Sequence, residues 1–171
     1  MDISATSSLA AVIISTIALF VSGVLAVRQV SMMRHANQMP VLVDLMQEFR
    51  SAEFQMAEGY VLNKLSAEND VSLGCSGLTG PPSLAVNLVN SFFLSLGTLV
   101  AQDMVDEATV VLLFGFRADR AWKALESRIM REREIRNDPF FAVPFEDLVC
   151  RIRDGWPPTD RYRLKFRSLS R

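Results

Sequence analysis

The chain has 171 residues, half of them hydrophobic, with 18 basic and 19 acidic side chains and a formal net charge of −1. That length sets one domain as the natural count, and the ordinary charged fraction excludes wholesale disorder. Two cysteines exclude a disulfide framework, and a single histidine excludes the usual two-histidine metal sites.

The first element is apolar. Mean hydropathy of the whole chain is +0.21, and much of it comes from the N-terminus, where Ile3 to Val27 carry no charge. The dense part, Leu9–Val27, is long enough as a helix to cross a bilayer core of roughly 30 Å at about 1.5 Å per residue. The expected organisation is a short extracytoplasmic N-terminus over 1–8, a transmembrane helix over 9–27, a helical cytoplasmic domain over 28–155 and a basic aromatic tail over 156–171. A cleaved signal peptide competes, since Val24 and Ala26 frame a small-residue cleavage pattern. Against it stand the length of the run and an N-terminal region with Asp2 and no base.

Orientation follows from charge. All 18 basic residues come after position 27, and Arg28 and Arg34 stand at the membrane edge. The positive-inside rule then places the N-terminus outside and the body at the cytoplasmic face of the plasma membrane. Within the span, Ala11, Ser15, Ala18 and Ser22 alternate spacings of four and three, the seam of a left-handed helix pair. That pattern is a homodimer signal in lipid, although alanine and serine are frequent in any anchor.

Helical periodicity runs through the body. Pro40 suits a helix start, followed by Leu42, Leu45, Met46 and Phe49 with Asp44, Gln47 and Glu48 opposite. Ser51 fits as the cap of a helix carrying Phe54, Ala57, Val61 and Leu65, with Gly59 weakening it. Residues 69–82 read as a flexible connector. Its Gly74, Gly77 and Gly80 would suit an anion-binding turn, but the lysine and hydroxyl residue of a phosphate loop are missing. Pro81 and Pro82 then open a helix whose core is Leu84–Ala101.

A second span is the alternative for that helix, because 71–102 carries no charge. Its amphipathic pattern argues for a core helix: Asn87, Asn90, Ser91, Ser95, Thr98 and Gln102 on one face, Ala85, Leu88, Val89, Phe92, Leu96, Leu99 and Val100 on the other. A single span also keeps every basic residue on one side. Asp106 fits as the cap of the next helix, with Val110, Leu113, Phe114, Ala118, Ala121, Trp122, Leu125 and Ile129 inward and Gly115 as a bend. Asn137, Asp138 and Pro139 interrupt, and a last helix begins near Val143. The fold class is therefore all-α, an N-terminal transmembrane helix followed by a small cytoplasmic bundle of four to five helices.

Charge along the chain is uneven. Residues 40–110 hold nine acids and two bases, and 117–136 hold seven bases and four acids. The tail interleaves Arg161, Arg163, Lys165 and Arg167 with Tyr162, Leu164 and Phe166. This pattern suits the anionic inner leaflet. A solvated tail, or one neutralised by the acidic 40–110 region, is the plain alternative, and nucleic acid is the least favoured.

No catalytic constellation stands out. His35 lies beside Arg34 with no fixed acidic partner, Cys75 has no neighbouring base, Cys150 reads as a small core residue and Glu58 as part of a solvated face. At residues 28–51 the chain resembles an uncharacterised actinobacterial family of short single-span proteins, a domain of unknown function. The likeness rests on Arg34, Ala36, Asn37 and Pro40, then Glu48, Phe49, Arg50 and Ser51, and later Arg131–Glu134 with Phe140 and Phe141. It implies a membrane-anchored helical protein of unassigned activity, with no catalytic residue or cofactor to carry over. The expected function is non-enzymatic, a module binding an unknown partner protein beside the lipid bilayer. The alternatives are a membrane enzyme with a carboxylate site at Glu48 and Arg50, and a two-span subunit.

Overall fold

The structure, a computed structural model, describes residues 3–155, with side chains at 15–26, 29 and 40–155. Among the described residues six α-helices follow one another: α1 (Ile3–Arg50), α2 (Ala52–Asn63), α3 (Leu65–Glu68), α4 (Gly80–Ala101), α5 (Glu107–Arg136) and α6 (Val143–Asp154), with a 3-10 turn at Val71–Leu73. Among the described residues there is no strand. The chain divides into two compact units, Met1–Val41 and Leu42–Arg171.

In the first unit, α1 takes in the whole apolar run. Its Ser15–Ala26 stretch is exposed at every position, including Ile17, Leu19, Phe20, Val21, Val24 and Leu25. Pro40 does not start a helix, as its position suggested, but lies inside α1. A proline there removes one N–H from the ladder. The residues around it hold no glycine and no second proline, so nothing else ends the helix.

The second unit is built on α4. This helix packs against α2, α5 and α6, and buries Val86, Val89, Phe92, Phe93, Leu96 and Val100. It is long and apolar enough by composition to cross a membrane, and half of its most apolar stretch is inside the fold. The expected faces hold in part. Asn87, Ser91 and Ser95 are exposed, but Asn90 is only 9 % exposed, with its Oδ1 unpaired, and Val86 and Phe93 are buried. The buried arc is wider than a one-neighbour pattern allows because α4 has three neighbours.

Aromatic rings fill the centre. Phe54 and Phe92 lie 4.7 Å apart, Phe93 and Phe145 5.0 Å, and Trp122 and Phe145 5.1 Å. Phe49, near the end of α1, meets Phe114 edge-on at 4.8 Å. Gly97 lets α4 approach α6, since a Cβ there would overlap the Pro144 carbonyl.

Helix ends follow local chemistry. Ser51 Oγ accepts from the Phe54 amide at 3.1 Å, and Asp106 Oδ2 from the Thr109 amide at 2.8 Å, so both act as N-caps. Asn137, in the left-handed region at φ 50°, closes α5. Leu65 lies on the separate α3 rather than on the helix that Ser51 caps, and Leu113 is 39 % exposed rather than core. Cys150 is likewise exposed on α6.

Candidate functional site

Three polar arrangements concentrate the chemistry of the body. The first holds the connector. Its composition suggests flexibility, yet two α5 side chains pin residues 69–76. Arg128, 2 % exposed, donates to the carbonyls of Asn69 at 2.7 Å, Asp70 at 2.8 Å and Gly74 at 3.2 Å. Glu132, fully buried, accepts from the Cys75 amide at 2.7 Å, the Ser76 amide at 2.9 Å and the Ser76 hydroxyl at 3.1 Å. Arg136 pairs with its other oxygen.

The glycine-spaced turn is thus an anion cradle, as its pattern allowed, but the anion is a carboxylate of the same chain. Gly74 adopts φ 63° to form it, and a side chain there would meet Glu132 and Ile135. Burial raises the Glu132 pKa, but the Ser76 amide, Arg136, the Cys75 amide and the Ser76 hydroxyl outweigh it and leave it below the ordinary value. Burial, then the Glu132 charge, push the Cys75 thiol up to about 11. That thiol stays protonated near neutral pH and is a poor nucleophile.

The second arrangement joins α2 to α5. Glu58 is buried, not on a solvated face, and forms an ion pair with Arg117. The Arg117 guanidinium lies 4.0 Å from the Phe49 ring centre and 5.8 Å from that of Phe54. Burial, then Arg120, lower the Arg117 pKa from an ordinary value so high that the group stays charged. The Glu58 charge, buried on α2, is answered by the α5 cation that covers the Phe49 ring.

The third lies between α5 and α6. An open cleft of about 540 Å³ is lined by Gly115, Phe116, Asp119, Lys123, Ile152 and Arg153. Asp119 accepts from Lys123 Nζ at 2.6 Å and from Arg153 Nε at 2.8 Å. Burial raises the Asp119 pKa, but these two cations outweigh it and hold it below its ordinary value. Elsewhere α5 and α6 are tied by Arg133, which bonds Glu146 at 2.6 Å, and by Arg151, which bridges Asp147 and Glu107.

Of the residues singled out in the sequence, Glu48 and Arg50 are exposed on the last turn of α1, and no described contact joins their side chains. Ser15, Ala18 and Ser22 are exposed along α1. The side chains of Ala11, Arg28, Arg34 and His35 lie outside the described residues, as do Arg161, Tyr162, Arg163, Lys165, Phe166 and Arg167 of the tail. Among the described residues no group of three metal-ligating side chains converges.

Sequence reasoning missed Arg128, Glu132, Glu58 and the cleft. A signal existed for the first two. Both fall on the inward stripe of α5 that carries Leu125 and Ile129, where a charge must find a buried partner.

No protein-family model, curated protein or solved structure matches this chain. The likeness of residues 28–51 to an actinobacterial family therefore has no family-model match behind it.

Proposed function

We propose that the chain is a single-pass membrane protein whose helical body binds a partner protein at the inner face of the plasma membrane without catalysing a reaction. The observation that carries the reading is α1. Its Ser15–Ala26 stretch is exposed at every position, within a run that has no charge from Ile3 to Val27. Six large apolar side chains in that stretch face outward. At roughly 1.5–3 kcal/mol per side chain, lipid would supply on the order of 10 kcal/mol that water withholds. Arg28 and Arg34 then fall at the membrane edge, and all 18 bases stand on one side of the span.

The body supports the binding reading by how its charges are used. Glu58, Arg117, Arg128 and Glu132 are engaged in holding helices and the connector together. The Cys75 thiol is buried and protonated. Large apolar side chains, including Met56, Leu84 and Phe140, remain exposed on the body.

A two-span arrangement is the second reading, favoured by the length and apolarity of α4. The single-span reading is preferred because inserting α4 would strip Phe92, Phe93 and Leu96 from the core. Pairing through Ala11, Ser15, Ala18 and Ser22 would make the anchor a homodimer, and the tail bases would add attraction to anionic lipid.

The test is fractionation. The full chain should resist carbonate extraction from membranes, and the double variant Leu19→Arg, Phe20→Arg should be released. A chain found in the soluble fraction would overturn the membrane reading. Ala11→Leu with Ala18→Leu should abolish cross-linked dimers, and unchanged cross-linking would reject the seam.

A further inference from the structure

We infer that the cleft between α5 and α6 binds a single-chain amphipathic anion, a medium-chain fatty-acid carboxylate. The site lies wholly on α5 and α6, and only its assay in nanodiscs rests on the membrane reading.

The cleft has two kinds of wall. Its apolar part is Gly115, Phe116 and Ile152. Phe116 is 64 % exposed, and Leu112, one turn earlier on the same face, is exposed as well. Two such side chains at a spacing of four on a surface helix form an exposed apolar strip, with the Arg120 guanidinium over the Phe116 ring. Gly115 deepens the floor: a Cβ there would stand 3.4 Å from Ile152 Cγ2. The volume, about 540 Å³, falls within the range of small-ligand sites, roughly 300–1,000 Å³.

The rim is cationic. Lys123 and Arg153 share one carboxylate, Asp119, whose two oxygens each already accept a bond. One acid therefore answers two bases. Lys123 keeps further N–H donors, and the Arg153 guanidinium, bonded through Nε, keeps both terminal nitrogens. Arg120 adds a third cation, 5.6 Å from the Phe116 ring centre, and forms no ion pair among the described residues. An apolar floor under an excess of positive charge fits a ligand with an alkyl chain and an anionic head. The chain's own residues 156–171, which follow α6 directly, fit less well. They carry five bases and one acid, so the rim repels them.

The experiment is calorimetric titration of the full chain in phosphatidylcholine nanodiscs with decanoate, against empty nanodiscs. Decyltrimethylammonium supplies the same chain with the opposite charge, and acetate supplies the head without the chain. Saturable decanoate binding is expected, with neither control binding. Phe116→Ser and the pair Lys123→Gln, Arg153→Gln should each weaken it by about tenfold. These side chains are exposed, so thermal midpoints of the variants should stay close to the parent's. Non-saturable uptake equal to that of empty discs would overturn the proposal. So would equal binding of decyltrimethylammonium, or unchanged affinity in variants that remain folded. Phosphatidylglycerol nanodiscs that bind the chain through the same residues while decanoate fails would also overturn it, moving the site to a bilayer headgroup.

Discussion

Arg128 and Glu132 stand four apart on α5, and each reaches a connector more than fifty residues earlier in the chain. Removing either leaves buried partners unpaired, which costs more than the bond itself supplied. Glu132→Gln should lower unfolding free energy by about 1.5–3 kcal/mol, the range of a bond to a charged group. Arg128→Ala should cost at least as much, since three carbonyls lose their donor. Urea denaturation measures both. The same clamp sets a pH dependence. The Glu132 pKa lies below its ordinary 4.5, so its contribution is full above that value and is lost as pH falls through the lower folded one. Stability should fall as pH drops below that ordinary value, and less steeply in Glu132→Gln. These residues were only partly legible in the sequence. Their place on the apolar stripe of α5 marked them as needing partners, but finding which carbonyls and amides they reach requires the tertiary path of the connector. Cys150 escapes periodicity for a related reason. Its amphipathic helix has a buried face, and a small thiol fits either side of that boundary.

At the scale of the element, caps and prolines were the readable signals. Ser51, Pro81, Asp106 and Asn137 each mark a helix end where the structure has one, because their chemistry is local. Ser51→Ala and Asp106→Ala should each cost about 1 kcal/mol, read as a lower midpoint in chemical denaturation. Pro40 carried the same kind of signal and sits mid-helix, since a lost hydrogen bond alone does not end a helix whose neighbours favour it. The two buried helical glycines separate close approach from helix propensity. Gly97→Ala would drive a methyl into the Pro144 backbone and should destabilise the body by at least 1–3 kcal/mol, roughly the cost of overpacking. Gly115→Ala meets ordinary van der Waals distance at Ile152 and should stabilise α5 by up to about 1 kcal/mol. Equal effects at both positions would contradict the packing described for α4 and α6. The breadth of the buried arc on α4 could not be read from periodicity, because it depends on how many helices surround it.

For the whole molecule, the all-helical class was legible, since hydrophobic period and punctuation repeat through the chain, but the continuity of α1 through Pro40 and the separate α3 were not. The cleft was not, because Gly115 and Ile152 meet only once α5 and α6 pack. The central claim is that α1 supplies the one span and α4 stays in the body. Exposed positions on either side of α4 decide it: Ser66→Cys on α3 and Met104→Cys before α5. Each would be made with Cys150→Ser, because Cys150 is exposed, while Cys75 is buried and protonated. Labelling in intact cells and in inverted membrane vesicles with a membrane-impermeant maleimide then reports sidedness. The account predicts that both positions are protected in cells and labelled in inverted vesicles. Labelling of the two positions from opposite sides would contradict it, making α4 a span and dismantling the helical core built around Phe92, Phe93 and Phe145.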